Sequence, residues 1–268
     1  MFVMRLAMVE KYFRRNAVYL KRRSLFTEKE IFFINKRQPN NTRALINHHL
    51  KIVSHKGWFL KSDNGKPWAL TYIKRFSDSF LAFFLILLSA PLLCFIALLI
   101  KVNSPGPVFF HQERTGYLGR RFRMIKFRTM INGADQLKHG VMHLNRHGSD
   151  SPDFKATHDP RVTGVGRFLR KYSLDELPNL FNVVKGDMRL VGPRPTSFNT
   201  DAYAPSDLVR LVVPPGITGY WQVMGRGDVD FGGRVSLDAY YIQKQSPLLD
   251  LKILFRTIFV VFNHKGAY

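Results

Sequence analysis

"FSDSFLAFFLILLSAPLLCFIALLI", residues 76–100, decides the fold of this chain. It is the one membrane-length apolar run in 268 residues, long enough to cross a bilayer as a helix. Two features argue against a simple crossing. Pro91 stands in its middle, after Ser89 and Ala90, and an internal proline removes a donor and clashes with the preceding turn. Both flanks are basic, with Lys74 and Arg75 before it and Lys101, Arg114, Arg120, Arg121 and Arg123 after it. The positive-inside tendency then draws both ends to the cytoplasmic face. A helix-break-helix that enters and leaves one leaflet satisfies both features, with Ser89 a candidate to bond a backbone group freed at the bend. A kinked spanning helix and a buried helix of a soluble protein are the alternatives.

The rest of the composition fits a membrane-surface protein. Lys plus Arg number 41 against 19 Asp plus Glu, a formal charge of +22. Such a charge points to nucleic acid or to membrane phosphate. No helix-turn-helix, finger spacing or RNA-binding aromatic motif is present, so nucleic acid is not expected. Cys94 is the single cysteine, which excludes an internal disulfide and a cysteine metal cluster. The first 75 residues hold 17 Lys or Arg and 4 Asp or Glu, without a signal-peptide pattern. "KYFRRNAVYLKRR" reads either as an interfacial helix on anionic lipid or as a basic extension. Three regions follow: a basic extension over 1–70, the membrane helix pair over 71–101, and a compact folded unit over 102–268.

Beyond the apolar run, "SPGP" is a rigid turn, "VFFHQ" a short strand and "TGYLG" a turn. "RRFRMIKFRTM" alternates basic with apolar residues, as a half-buried strand with a cationic face would. A helix is expected in "NGADQLKHGVMHL" (132–144). "VGPRP" and "VVPPGITGYWQVMGRG" are turn-rich with little regular structure, and "VSLDAYYIQKQSPLLDLKILFRTIFVVF" suggests two helices, the last able to pack toward the membrane.

"SLDELPNL" (173–180) opens a helical pattern through Leu174, Leu177, Leu180, Phe181 and Val184. Ser173 is placed to cap it, and Glu176 stands at the third helical position of a capping box. The same two acids, Asp175 and Glu176, also sit among Arg161, Arg167, Arg170, Lys171, Lys185, Arg189 and Arg194. Opposite charge keeps a carboxylate ionised, and an ionised Asp among cations can bind Mg²⁺ or attack phosphorus. Capping and phosphoryl chemistry both remain open on the local pattern.

The ordered series "KRFSD", "NSPGPVFFHQERTG", "FRMIKFRTM", "DPRVTGVGRFLRKYSLDELPNLFNVVKGDMRLVGPRP", "PGITGYWQVMGRG" and "LDAYYIQKQSPLLDLKILFRTI" closely resembles the bacterial polyprenyl-phosphate sugar transferases. These are the monotopic phosphoglycosyl transferases that initiate exopolysaccharide, capsule and O-antigen synthesis. The resemblance covers residues 72–268, roughly three-quarters of the chain. It implies a mostly helical α/β catalytic unit on a re-entrant helix at the cytoplasmic face of the bacterial inner membrane. It implies transfer of a sugar 1-phosphate, here expected to be a hexose 1-phosphate, from a UDP-sugar to undecaprenyl phosphate, with release of UMP. The family nucleophile falls on Asp175, its adjacent Glu on Glu176, and Mg²⁺ belongs to that site, with Asp175 as an expected ligand and Glu176 either a second ligand or a group that assists proton movement. An "R-x-x-D" pair falls on Arg75 and Asp78, and the helix break on Ser89 and Pro91, although Ala90 intervenes.

Further phosphate or substrate contacts are expected at Arg75, Lys126, Arg128, Arg161, Arg170 and Arg194, with a solvated basic strand face the alternative for Lys126 and Arg128. Gln222 and Trp221 could touch uracil or sugar, with packing the alternative for Trp221. Asp187 is a second metal carboxylate or a loop cap, and Tyr240 and Tyr241 are core. Pro214 stands where the family usually has a basic residue, so Arg210 or Arg226 is expected to substitute for it. Anionic lipid is a further expected partner, and the apolar final helix could face lipid or a second copy of the chain. The rival reading is a membrane-associated scaffold or polyanion binder without catalysis.

Overall fold

A computed structural model describes residues 67–137, 140–141, 159–203, 205–225 and 229–262. The expectations for residues 1–66 and for Arg226 fall outside these, as does most of the helix expected over 132–144. The described beginning of that helix, 132–137, is turn.

The apolar run forms one helix, α1, Tyr72–Asn103. Its 32 residues span about 48 Å at the α-helical rise. Thr71 starts it, its side chain accepting from Lys74 N at 3.2 Å. Ser104 and Pro105 end it. The expected division into two helices is not found: the helical backbone continues through Pro91. The side chain of Ser89 does not take the carbonyl that Pro91 leaves without a donor, that of Leu87. It back-bonds Leu85 O at 2.7 Å instead, the i−4 bond that serines make inside helices.

One stripe of α1 is buried, at Lys74, Asp78, Ala82, Ile96 and Ile100. The rest of its surface is apolar and exposed, from Tyr72 and Phe76 through Phe84, Leu88 and Phe95 to Leu99. Both ends of α1 pack against the same folded body. Ala82 lies in the main core with Val183, Leu190, Tyr241 and Ile253. Ile96 and Ile100 lie in a smaller core with Phe127 and Leu169.

After α1 comes an antiparallel hairpin of β1 (Phe109–Thr115) and β2 (Arg121–Phe127), with Phe109 opposite Phe127. Its connection turns through Leu118 at φ 54 and Gly119 at φ 75. Helix α2, Gly164–Lys171, is capped by Thr163, whose side chain accepts from Gly166 N at 2.9 Å. Leu174–Glu176 is a 3₁₀ turn, and α3 is Asn179–Lys185, closed by Gly186 at φ 93. Strand β3 (Arg189–Val191) pairs in parallel with β4 (Gly216–Thr218), so the two turn-rich stretches join in a small sheet. This is possible because glycines face each other: a Cβ on Gly216 would lie 2.1 Å from Gly192 N. Helices α4 (Tyr220–Met224), α5 (Phe231–Lys244) and α6 (Pro247–Phe262) complete the fold. The last two are the expected pair, and α6 exposes Leu248, Leu251, Phe255, Ile258, Phe259 and Phe262.

The N-terminal end of α1 is fixed by a buried polar network. Lys74 Nζ lies 2.7 Å from Asp78 Oδ2 and 2.8 Å from Asp250 Oδ2. Asp250 also accepts from Trp68 Nε1 at 2.7 Å and from the Tyr241 hydroxyl at 2.9 Å. Asp78 accepts from Leu190 N at 3.1 Å. Buried charge must be paired and hydrogen-bonded, and here α1, β3, α5 and α6 each supply a partner. Tyr241 is fully buried, as expected of a core residue.

Candidate active site

The acidic pair occupies the 3₁₀ turn between α2 and α3, and the capping reading fails on its backbone. Ser173 is left-handed, at φ 55 and ψ 21, and makes no side-chain capping bond. The α-helix begins only after Pro178, which places Glu176 outside it. The tight turn directs both carboxylates toward β2.

Glu176 is held from two sides. Its Oε1 accepts from Lys126 Nζ at 2.7 Å, and the Arg194 guanidinium grips both oxygens, Nη1 donating to Oε2 at 3.0 Å and Nη2 to Oε1. Such a two-pronged contact is the strong form of a carboxylate–guanidinium pair. Burial alone would raise the Glu176 pKa, but Arg194 and Lys126 outweigh it and hold the carboxyl far below its usual range. The same contact lifts Arg194 above its ordinary value.

Asp175 is treated differently. Its one ion contact among the described residues is Lys126 Nζ at 4.0 Å. Burial pushes its carboxyl above the usual range; Lys126, Arg170 and Arg194 oppose this and the neighbouring Glu176 adds to it. The expectation that surrounding cations would lower this pKa is therefore corrected: Glu176 takes the close cations, and desolvation prevails at Asp175.

Three backbone arrangements set this geometry. Lys126 shares the inward strand face with Phe122 and Met124, because side chains two apart point the same way. Asn182 of α3 ties that strand down, accepting from Ile125 N at 3.0 Å and donating to Arg123 O at 2.8 Å. Arg170 comes from the last turn of α2. Its Nε donates to Thr129 Oγ1 at 2.9 Å, and burial lowers its pKa while Asp175 counters. The lone asparagine within "LFNVV" was a signal for the α3–β2 tie; Thr129 carried no such mark.

The structure thus gathers Asp175, Glu176, Lys126, Arg170 and Arg194, and commits other expected contacts elsewhere. Arg128 donates to Ser104 O at 2.7 Å and Pro105 O at 2.8 Å, stapling the turn after α1. Arg161 grips Asp159 through Nε at 2.9 Å and Nη2 at 2.6 Å. Arg210 Nη2 bonds Asp238 Oδ2 at 2.7 Å and Arg194 O at 3.1 Å. All three residues are buried, with their guanidinium groups held by protein acceptors. Arg75 is exposed beside Gly186, at the far end of α3 from Asp175. Gln222 donates to Ile217 O at 3.2 Å, and its Oε1 is buried with no protein partner. Asp187 lies 3.2 Å from Lys185 Nζ. Among the described residues no group of three or more metal-binding side chains occurs.

The chain matches the bacterial sugar transferase family over residues 69–264 and belongs to it. It is 38% identical over 221 residues to the UDP-galactose-lipid carrier transferase of Erwinia amylovora, covering 81% of this chain and 46% of that protein. It is 40% identical over 200 residues to the exopolysaccharide production protein ExoY of Rhizobium meliloti, covering 73% of this chain and 88% of ExoY. It is 42% identical over 206 residues to the UDP-glucose:undecaprenyl-phosphate glucose-1-phosphate transferase of Escherichia coli, covering 73% and 41%. The chain spans about half the length of the Erwinia protein and of the Salmonella typhimurium undecaprenyl-phosphate galactose phosphotransferase, which it also resembles. Among the described residues one helix, α1, is long and apolar enough to cross a membrane, which is compatible with membrane association.

Proposed function

We propose that this protein transfers a hexose 1-phosphate from a UDP-sugar to undecaprenyl phosphate, with Asp175 as nucleophile. One observation carries the reading: of two adjacent carboxylates, Glu176 is locked by Lys126 and Arg194, whereas Asp175 meets its nearest cation at 4.0 Å. A carboxylate oxygen without a close donor keeps its lone pairs for attack. Asp175 attacks the β-phosphorus, a P–O bond to Asp175 forms, the bond to the bridging oxygen breaks, and UMP departs. An oxygen of the lipid phosphate then attacks the same phosphorus and releases the Asp175 carboxylate. Covalent catalysis divides one encounter between two anions into two steps. Lys126, Arg170 and Arg194 receive the phosphate charge, and Glu176 holds two of them in line.

Asp175 is the residue here that fits Mg²⁺. That ion commonly takes one or two carboxylates together with waters and substrate phosphates, and bound there it would neutralise diphosphate charge. Glu176 does not fit as a second ligand, because Lys126 and Arg194 face both of its oxygens.

We further propose that α1 enters and leaves the cytoplasmic leaflet as one continuous helix bent at Pro91. Support comes from its two ends, which pack on one body while its middle presents Phe83, Phe84, Leu87 and Leu88 outward. A non-catalytic polyanion binder is disfavoured by the burial of Arg128, Arg161 and Arg210, which removes those cations from the surface. The test uses purified protein with labelled UDP-glucose and UDP-galactose, undecaprenyl phosphate and Mg²⁺, scoring UMP and labelled lipid. Turnover is expected, together with its loss in a folded Asp175→Asn variant. Retained turnover in that variant overturns the nucleophile.

A further inference from the structure

The loop that presents Arg194 is tethered at Thr196 O, which accepts from Thr115 N at 2.9 Å, and at three backbone points nearer Arg194. Gly192 N donates to Thr218 O at 3.0 Å, and Pro193 O accepts from Gly216 N at 3.0 Å. These two bonds belong to the approach of the β3 and β4 ends. The third tether is Arg194 O, which accepts from Arg210 Nη2 at 3.1 Å. Pro193 and Pro195 flank Arg194 and lack N–H groups, so carbonyls are the main handles on this segment. The tether at Arg194 itself is therefore a charged side chain.

That side chain is fixed in turn. The nitrogen of Arg210 that holds Arg194 O also bonds Asp238 Oδ2 at 2.7 Å, and the ion pair is almost wholly buried, with side chains 3% and 1% exposed. The guanidinium carbon lies 5.4 Å from the centre of the Phe231 ring, which packs against Phe198 and Tyr203. The cavity behind the loop, lined in part by Arg194, Arg210, Tyr203 and Thr115, holds about 10 Å³, room for roughly one water. Arg194 has little space to retreat, and its carbonyl is pinned by a group that cannot move without unpairing a buried charge.

We infer that Asp238 and Arg210 are positioning residues for the transferase reaction: the buried pair sets the backbone of Arg194 so that its guanidinium reaches Glu176 and the substrate phosphates. Neither residue touches substrate. This inference rests on the proposed transferase reaction. Placement errors of about an ångström in a phosphate-holding group cost up to about 100-fold in rate. Asp238→Asn keeps the shape of the side chain and removes the charge that orients Arg210. Arg210→Lys keeps the charge and loses the planar guanidinium whose Nη2 bonds carboxylate and carbonyl together.

The test is a double-mutant cycle on the full chain in detergent or nanodiscs, reading kcat and KM for the UDP-sugar together with thermal unfolding. Turnover by the unmodified protein tests the transferase reading by itself. Given that turnover, Asp238→Asn and Arg210→Lys are each expected to lower kcat about 10- to 100-fold in folded protein. In an Arg194→Ala background, Asp238→Asn is expected to add less than about threefold, because it acts through Arg194. Equal fold-losses with and without Arg194 overturn the inference, as does full activity in either single variant. If Asp238→Asn does not fold, Arg210→Lys completes the same cycle.

Discussion

Replacing Lys74 by methionine removes the cation between two buried carboxylates while keeping the apolar length of the side chain. Lys74 is 2% exposed, and the Asp78 and Asp250 side chains are 8% and 7% exposed. Taking one partner from a buried ion pair leaves an uncompensated charge and costs about 3–5 kcal/mol. For a domain of this size each kcal/mol lowers the unfolding midpoint by about 2–4 °C, so the drop should be about 6–20 °C. Trp68 donates to Asp250 and reports on the network, which makes its fluorescence during heating in detergent the natural assay. Adding Asp78→Asn and Asp250→Asn to Lys74→Met removes both stranded charges. The amide oxygen at 78 can still accept from Leu190, and at 250 the oxygen can accept from Trp68 while the amide NH2 donates to the Tyr241 hydroxyl. This triple variant should recover most of the loss. A shift under 2 °C for Lys74→Met, or a triple variant no more stable than the single one, refutes the assignment of the network as the anchor of α1.

Glu176→Gln should lower kcat/KM about 10- to 100-fold by loosening Lys126 and Arg194, while the Mg²⁺ concentration at half-maximal rate stays put; a large rise would make Glu176 a metal ligand. Burial raises the Asp175 pKa, so the acid limb of the rate profile should lie above the carboxylate value of 3.8, with activity rising as pH climbs through it. A profile flat down to pH 4 contradicts this. Asp238 is pushed up to about 6 by burial, against the pull of Arg210 and Arg234. Folded protein then holds a proton that unfolded chain has released, so its contribution to stability is greatest below pH 3.8 and declines as pH rises through about 6; Asp238→Asn should flatten that slope in chemical denaturation. A Cβ on Gly166 would lie 2.0 Å from Thr129 O, so Gly166→Ala should destabilise by about 2–3 kcal/mol and displace the Thr129 that holds Arg170. Unchanged stability and activity in that variant would show that the α2–β2 approach is not needed.

Much of the architecture was legible because its signals are local. The apolar run, the β1–β2 hairpin and the last two helices each follow from pattern and turn chemistry. Lys126 was also readable as inward-facing: the alternation in "RFRMIKF" slips at Ile125–Lys126, which puts a lysine in phase with Phe122 and Met124. The start of α3 was misread because "SLDE" satisfies the capping pattern while the backbone at Ser173 is left-handed. Pro178 was the better marker, since proline favours a helix start. Sorting the arginines was beyond the sequence. Arg128, Arg161 and Arg210 resemble Arg170 and Arg194 in context, and partners such as Asp238 and the Ser104 carbonyl come near only through the fold. The β3–β4 pairing was hidden for the same reason, because it depends on two glycine backbones touching.

The network at Lys74 also has a consequence for how the protein is made. Trp68 and the Asp250 it bonds are 182 residues apart in the chain, and Ala69 N reaches Gln245 Oε1 across 176. As the apolar run leaves the ribosome, Lys74 has Asp78 as its sole neighbour from the clasp. Asp250, in the first turn of the last helix, does not yet exist. The N-terminal end of α1 therefore waits, incompletely neutralised, until α6 has been synthesised. Its final seat against the folded body is fixed by α6, so deleting α6 should disturb the opposite end of the described fold.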